Sequence, residues 1–524
     1  MADRGHLFVV QADLTRLAAD AFLIPCDDEL NVSGTWRPFV EPGSKAQQKA
    51  EWFTPKGVRL ENGIAFLRDT TRQGAQRPDD IVGVRVLVDT VSVESISAMV
   101  DRSLHAIRAS AAQAQSHSGR ALPLIAMPIL GVGQGKFPGQ RAEVVRLLVG
   151  RLLEFVSQHP IDVALVLRRT SDFAAAQWAR RQTKEADATC WPELTVDQLA
   201  LADRLGLQAS KGELSVFVGA GVSKPVGFPD WQELLQELAG RPLRFTKNTN
   251  YPKLAQRLRV RKLNAKVADR FHTNRHALGH ALLVDLRTNA LVTTNYDPCL
   301  ENAATAIHIN PPLRVLARQL AVGGSPWLLK LHGDIAQPET IVLTAKQYRA
   351  LNTDRHALRG VVQSLMLTSH LLFVGFGFAD EDFLAMSNAV QNVRRLAEEP
   401  HNPSVGTAIE LRESPAAKKK YAELDYQHAA PADAPVKVAA RLLEVLLDRI
   451  AWRCQVAGSG RASYLLDPDY EQDATEPDRI LAEALQQLRA NELAWQDSAG
   501  AQSVRDQMDE LGWRPRTGSG IERP

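Results

Sequence analysis

Four short polar clusters, each closing an apolar run, are the residues of this chain best suited to chemistry. Leu291-Val292-Thr293-Thr294-Asn295-Tyr296-Asp297 ends a β-branched run in an amide and a carboxylate. Leu329-Lys330-Leu331-His332-Gly333-Asp334 ends another in an imidazole. LSVFV leads into Gly219-Ala220-Gly221-Val222-Ser223, and LLFV leads into Val374-Gly375-Phe376-Gly377-Phe378 followed by Ala379-Asp380-Glu381-Asp382. A carboxamide donates and accepts, so Asn295 can hold a hydroxyl and a water together. An imidazole with a pKa near neutrality, as His332 offers, accepts a proton from either. Small residues at the Gly219 turn let backbone approach a ligand, and successive N–H groups there can converge on a pyrophosphate. Each cluster also has a plain structural reading: Asn295 and Asp297 as turn caps, His332 as a satisfied histidine, the glycines as a tight turn.

Other candidates carry less. His272, His276 and His280 recur every fourth residue, a spacing that stacks ligands on one helix face, but no carboxylate accompanies them at metalloprotease spacing. Lys418-Lys419-Lys420 reads as a solvated helix face. The four cysteines, Cys26, Cys190, Cys299 and Cys454, are scattered singly, which excludes a CxxC zinc site and argues against a disulfide framework. With 62 basic and 60 acidic residues the net charge is +2, so no overall field favours nucleic acid or an anionic membrane. MADRGHLFVVQADL lacks a secretory signal, and no apolar run reaches about 18 residues. The expectation is a cytoplasmic protein with neither nucleic-acid nor membrane partners.

Elements must bring the clusters together. A chain of 524 residues with 45% hydrophobic and 23% charged residues is long enough for two or three cores. LFVV, AFLIP, IVGVRVLV, ALPLIAMPIL and VALVL read as buried strands, and SISAMVDRSLHAIRASAAQA and RAEVVRLLVGRLLEFVSQ as helices between them. That alternation predicts an α/β domain over residues 1–180. A linker follows over 181–204. A second α/β pattern over 205–452 runs through ELSVFV, ALVTTNYD, WLLKLHGD, TIVLTAKQY and HLLFVGFGF, and gains one more strand–helix pair from the stretch after His401. A helical tail occupies 453–524. The polar clusters then fall at the carboxyl edge of a sheet, where open α/β sheets bind ligands.

GAGVS, TTNYD, KLHGD and VGFGFADEDF, in this order and spacing, resemble the four signatures of the sirtuin-like superfamily over about residues 205–450. The likeness is nearer the bacterial branch found in antiphage defence proteins than the protein deacylases. It implies a Rossmann-type parallel sheet that takes NAD+ as substrate. Gly219, Ala220, Gly221 and Ser223 would line the phosphate and ribose site, with Thr294 beside them. Asn295 and His332 would be the catalytic pair, Asp297 would support the nicotinamide side, and Gly375 and Gly377 would lie near the adenosine half. Deacylases carry Gln where this chain has Thr294, and a four-cysteine zinc module where no cysteine occurs between His332 and Phe373. No zinc is therefore expected, and water becomes the acceptor. The implied reaction is hydrolysis of the nicotinamide–ribose bond, with protein deacylation or ADP-ribosyl transfer as the alternative and NAD-controlled assembly as a non-enzymatic one.

The first domain resembles macro domains, which bind ADP-ribose. Asp13 would contact adenine, and Gly131-Val132-Gly133-Gln134-Gly135 would wrap the phosphates. Where that family has an Asn-rich motif this chain reads Pro25-Cys26-Asp27-Asp28, which speaks against ADP-ribose hydrolysis and leaves ligand binding or a structural role. Together the likenesses imply a two-module antiphage effector of the abortive-infection kind. A macro-like sensor for an ADP-ribose-like signal, or a phage trigger, would gate NAD+ destruction in a homo-oligomer joined through the helical tail.

Overall fold

A computed structural model describes residues 4–40, 61–67, 83–114, 119–133, 135–246, 249–307, 312–316, 318–319, 324–354, 356–377, 381–395, 404–420, 424–473 and 475–513. Two sheets organise them, both α/β. The first contains β1 (Leu7–Gln11), β2 (Ala21–Cys26), β3 (Ile64–Leu67), β4 (Val84–Asp89), β5 (Leu124–Met127) and β6 (Asp162–Leu167), in the order β1-β6-β5-β2-β4-β3. All neighbours are parallel except β3, which runs against β4. Helices Ile96–Gln113 and Arg141–Gln158 lie where the apolar periodicity put them.

The second sheet contains β7 (Leu214–Val218), β8 (Ala290–Thr293), β9 (Arg314–Leu316), β10 (Trp327–Lys330), β11 (His370–Val374), β12 (Gly406–Arg412) and β13 (Asp425–Ala430). Its order is β13-β12-β11-β7-β8-β10-β9, parallel throughout. A parallel sheet is covered on both faces, so its central strands are continuous apolar runs, and β7 is buried at every position. The chain moves from β7 through β8 to β10 on one side, then crosses to β11 on the other. The winding direction therefore reverses at β7, and a crevice opens at the carboxyl ends of β7, β8 and β11.

Three local expectations differ from the structure. TIVLTAKQY forms no strand: a 3-10 turn at Pro338–Thr340 and a helix at Ala345–Asp354 flank an unpaired buried stretch. Its backbone is satisfied locally, Val342 donating to the His332 carbonyl at 2.9 Å and accepting from the Tyr296 hydroxyl at 2.7 Å. The segment after Gly219 is a 3-10 helix, Ala220–Val226, containing Pro225, and the α-helix starts only at Trp231. The stretch after His401 supplies two strands, β12 and β13, around the helix Pro415–Lys420, where Lys418 and Lys419 are exposed.

The connecting stretch between the sheets is packed. Trp191 is fully buried and donates to Asp448 at 2.7 Å. Asp448 lies in the helix Val436–Ala457, whose residues share one apolar cluster with β1, β6 and β7. Beyond it, the helices Glu476–Ala490 and Ala501–Glu510 form a small cluster around Leu466 and Met508. Among the described residues no helix is long and apolar enough to cross a membrane.

Candidate active site

The loops after β7 and β11 interlock through glycines. Gly219 N–H donates to Val374 O at 2.9 Å and Gly221 N–H to Gly375 O at 3.1 Å. A Cβ on Gly219 would lie 2.3 Å from Gly375 O. Gly375 has φ +65°, and a Cβ there would lie 2.8 Å from Val222 N. Gly221 and Val222 nitrogens are thus engaged within the loops, Val222 N–H reaching Gly219 O at 3.3 Å. The glycines serve close backbone approach first, and Ala220, Gly375 and Gly377 face the cavity as its floor.

Asn295 follows β8. Its N–H donates to Thr293 Oγ1 at 3.0 Å, while Thr293 Oγ1 donates to Val218 O at 2.8 Å and ties the turn to β7. Its Nδ2 donates to Gly219 O at 3.2 Å and to Ser223 Oγ at 3.1 Å. Because a carbonyl only accepts, the Gly219 contact assigns the carboxamide orientation. Among the described residues Oδ1 accepts no hydrogen bond from protein. Ser223 Oγ donates to Asp297 Oδ2 at 2.9 Å and lies 3.2 Å from His280 Nε2. Asp297 Oδ1 accepts from Cys299 N–H at 3.1 Å. Asn295, Asp297 and Ser223 are all buried beneath the cavity.

His332 follows β10 and is 3% exposed, its Nδ1 at a long 3.5 Å from the Tyr348 hydroxyl, with the rings edge to face at 5.1 Å. Gly333, φ +95°, turns the chain so tightly that a Cβ would meet Thr340 O at 2.2 Å. Lys330, at the end of β10, is buried with its ammonium on Tyr296 O (2.9 Å), Asp297 O (2.7 Å), Glu301 Oε1 (3.0 Å) and Asp334 Oδ1 (3.3 Å). It pins the TTNYD and HGD turns to each other.

These residues share one cavity of about 1590 Å³. Ala220, Ser223, Thr294, Asn295, Asp297 and His332 line one part, and Trp231, Tyr251, Arg349 and Arg359 another. The volume exceeds the ~300–1,000 Å³ of pockets for drug-sized ligands, leaving room for a dinucleotide. Every sequence-predicted residue of the second sheet lies in or under it, although Phe378–Asp380 fall outside the described residues. His280, Lys330, Tyr348 and the arginines were not singled out for this site. Lys330 had a signal, a cation within a buried strand, and His280 had one in the repeated histidines.

Those histidines do not share a helix face: the helix Leu278–Val284 begins after His276, and His272 is exposed whereas His276 and His280 are buried. Among the described residues, one trio with metal-ligand atoms within 4.8 Å is His280, Asp297 and Cys299. Its His and Asp atoms are engaged by Ser223 and Cys299 N–H, and burial beside Asp297 pushes the Cys299 thiol well above its ordinary value. In this structure the trio is a hydrogen-bonded hub.

In the first unit, Asp13 follows β1 and Gly131 follows β5, both at the carboxyl edge. Asp13 Oδ1 accepts from Thr15 N–H at 2.9 Å and Oγ1 at 2.7 Å. Gly131, φ +77°, and Gly135 close their loop on itself, a Cβ on Gly135 meeting Gly131 Cα at 2.5 Å. Val132 is buried, Gly133 is exposed, and Gln134 lies outside the described residues. Asp27 caps its own turn, accepting from the N–H groups of Glu29 and Asn31.

A family model described as SIR2-like domain matches residues 289–429. The chain is similar to a protein named NAD(+) hydrolase ThsA from Enterococcus faecium, 29% identical over 218 residues, covering 39% of this chain and 46% of that protein. It is also similar to Defense-associated sirtuin 2 of Bacillus subtilis, 25% identical over 205 residues, covering 35% of this chain and 20% of that protein. The chain thus spans less than half the length of these curated relatives. Among solved structures, an Oceanobacillus iheyensis macrodomain with ADP is similar at 12% identity and a TM-score of 0.26, covering 34% of this chain and 93% of that one.

Proposed function

We propose that this chain, which carries a SIR2-like domain over residues 289–429, is an NAD+ glycohydrolase that gives nicotinamide and ADP-ribose. One observation carries the reading: Asn295 and His332 face one cavity at the switch point of a parallel sheet, over a floor of interlocked glycines. Two relatives support it, one named as an NAD(+) hydrolase and one as a defence-associated sirtuin.

Breaking the N-glycosidic bond builds oxocarbenium character on the ribose, and nicotinamide leaves as a neutral molecule, so no general acid is obligatory. The protein must hold a ribose hydroxyl and a water in place and take up a proton. Asn295 is anchored through Nδ2, which leaves Oδ1 to accept from a ribose hydroxyl or the attacking water. His332 is the base, and Tyr348 orients its ring. The glycine floor takes the phosphates, Asp297 supports the nicotinamide side through Ser223, and no zinc takes part.

The test is incubation of wild type, Asn295→Ala and His332→Ala with NAD+, followed by product separation. Wild type yields nicotinamide and free ADP-ribose, and each variant loses about 10²–10⁴-fold in kcat. Full turnover by Asn295→Ala overturns the assignment, and acylated or cyclic products redirect it to transfer chemistry.

The wider reading is a cytoplasmic antiphage effector of the abortive-infection kind, with boundaries near 180, 204 and 452. The first unit would gate the second by binding an ADP-ribose-like ligand at Asp13 and Gly131–Gly135, which requires different affinities for active and inactive states. Exposed Ile480, Leu481 and Leu493 on the tail support self-association. NAD+ turnover measured with and without ADP-ribose tests the gate, and light scattering of the intact protein tests assembly.

A further inference from the structure

The buried ring of His280 does not itself line the cavity, yet its hydrogen bond to Ser223 bears on what the cavity presents. Its Nδ1 accepts from Ala277 N–H at 3.1 Å. A neutral ring bonded that way carries its proton on Nε2, which then donates to Ser223 Oγ at 3.2 Å. Burial holds the His280 pKa down to about 4, so the ring is neutral. Ser223 has one proton and two lone pairs. The proton goes to Asp297, and the lone pairs take His280 Nε2–H and Asn295 Nδ2–H. The hydroxyl is fully satisfied in one rotamer, and that rotamer aims a lone pair at the Asn295 amide.

The ring itself is held from outside the second sheet. His276 N–H donates to Arg16 O at 3.0 Å and Ala18 N–H to His276 O at 2.9 Å, just before the helix that bears His280. At the far end of that helix, Asp285 Oδ2 accepts from Gln11 N–H at 3.1 Å, and Arg287 donates to Gln11 Oε1 at 2.7 Å. Residues 11–18, the segment that contains Asp13, therefore clamp the helix Leu278–Val284 at both ends.

We propose that His280 is a positioning residue: through Ser223 it locks the Asn295 carboxamide with Nδ2 inward and Oδ1 toward the cavity. This rests on the hydrolase reading only for its kinetic arm. Without the Nε2 donor, Ser223 keeps only Asp297 and Asn295 as partners, its rotamer is no longer fixed by three contacts, and both anchors of the Asn295 amide loosen. The broad terminal torsion of Asn then lets the amide swing and turn its donor toward the ribose.

Two conservative variants separate this role from helix capping. His280→Asn keeps an acceptor where Nδ1 was and removes the Nε2 donor. His280→Gln places an amide N–H near the Nε2 position. The expected result is that His280→Asn folds with a near-native melting temperature and loses about 10–100-fold in kcat with KM within about threefold. His280→Gln recovers kcat to within about fivefold of wild type. Crystal structures of both variants supply a readout besides activity: the Asn295 amide leaves Gly219 O and Ser223 in His280→Asn and returns in His280→Gln. Wild-type kcat in His280→Asn, or an unmoved Asn295 in its crystal structure, overturns the proposal. If wild type leaves NAD+ intact, the hydrolase reading fails, and the position of Asn295 in the variant crystals still decides the role of His280.

Discussion

Asn295 is held by its nitrogen, which leaves its oxygen without a partner among the described residues, and that asymmetry comes from two neighbours, the Gly219 carbonyl and the Ser223 hydroxyl. Gly375 shows the same economy in the backbone. Its φ of +65° and the 2.8 Å approach to Val222 N leave no room for a side chain. Gly375→Ala should cost about 1–3 kcal/mol in urea denaturation and weaken NAD+ binding in calorimetric titration, because the β7 and β11 loops must part. Protonation at this scale also has a direction. His276 and His280 are buried and neutral, with pKa values pushed down to about 4 from 6.5. In the window between those values the unfolded chain binds protons that the native state does not. Stability is therefore full above about pH 6.5 and falls as the pH drops toward 4, by up to about 1.4 kcal/mol per pH unit for each ring. Denaturation curves at stepped pH should show this slope in wild type and a shallower one in His276→Asn.

At the scale of elements, a β-strand supplies direction and the turn after it supplies chemistry. β8 and β10 run side by side in register, so Asn295 and His332 leave the same edge on neighbouring strands. Lys330 sits between them under both turns, and Arg318 reaches Asp334 at 2.6 Å and Glu301 at 2.9 Å from the other side. Removing one buried charge strands its partners. Lys330→Met should cost about 3–5 kcal/mol in chemical denaturation and lower kcat as the turns separate. Unchanged stability would show that the ammonium is dispensable.

At the scale of the whole molecule, the helix Val436–Ala457, packed on both sheets, carries a polar spine. Asp448 is fully buried and accepts from Arg180 at 2.5 and 3.1 Å, from Trp191 at 2.7 Å and from His6 across 3.2 Å. Arg180 and His6 hold its carboxyl well below the usual range despite burial. Asp162, in β6, is tied to Arg441 at 2.8 Å and to Arg120 at 3.0 Å, and Arg120 also pairs with Glu444. The helix Val436–Ala457 is thus tied to the first unit by charge and to both sheets by apolar contact. Asp448→Asn should lower the global unfolding free energy by about 3–5 kcal/mol, since Arg180 loses its counter-charge, with one loss seen by probes in both sheets. Separate unfolding of the two sheets in wild type would contradict such a spine.

The local pattern of residues was sufficient for two parts of this protein: the two α/β units, read from apolar runs and amphipathic helices, and the four polar turns that end β7, β8, β10 and β11. Both are local properties, because a strand covered on both faces must be apolar along its length and its polar end then stands out. Tertiary structure decided the rest. The order β11-β7-β8-β10 brings turns separated by over a hundred residues into one crevice, and pairing order leaves no trace in any single strand. TIVLTAKQY has strand composition, yet the His332 carbonyl and the Tyr296 hydroxyl give its backbone other partners. His280 and Asp448 are buried polar residues on helices, and their partners lie far away in sequence. Their meaning comes from burial, where an unpaired polar atom is costly and each partner is therefore specified.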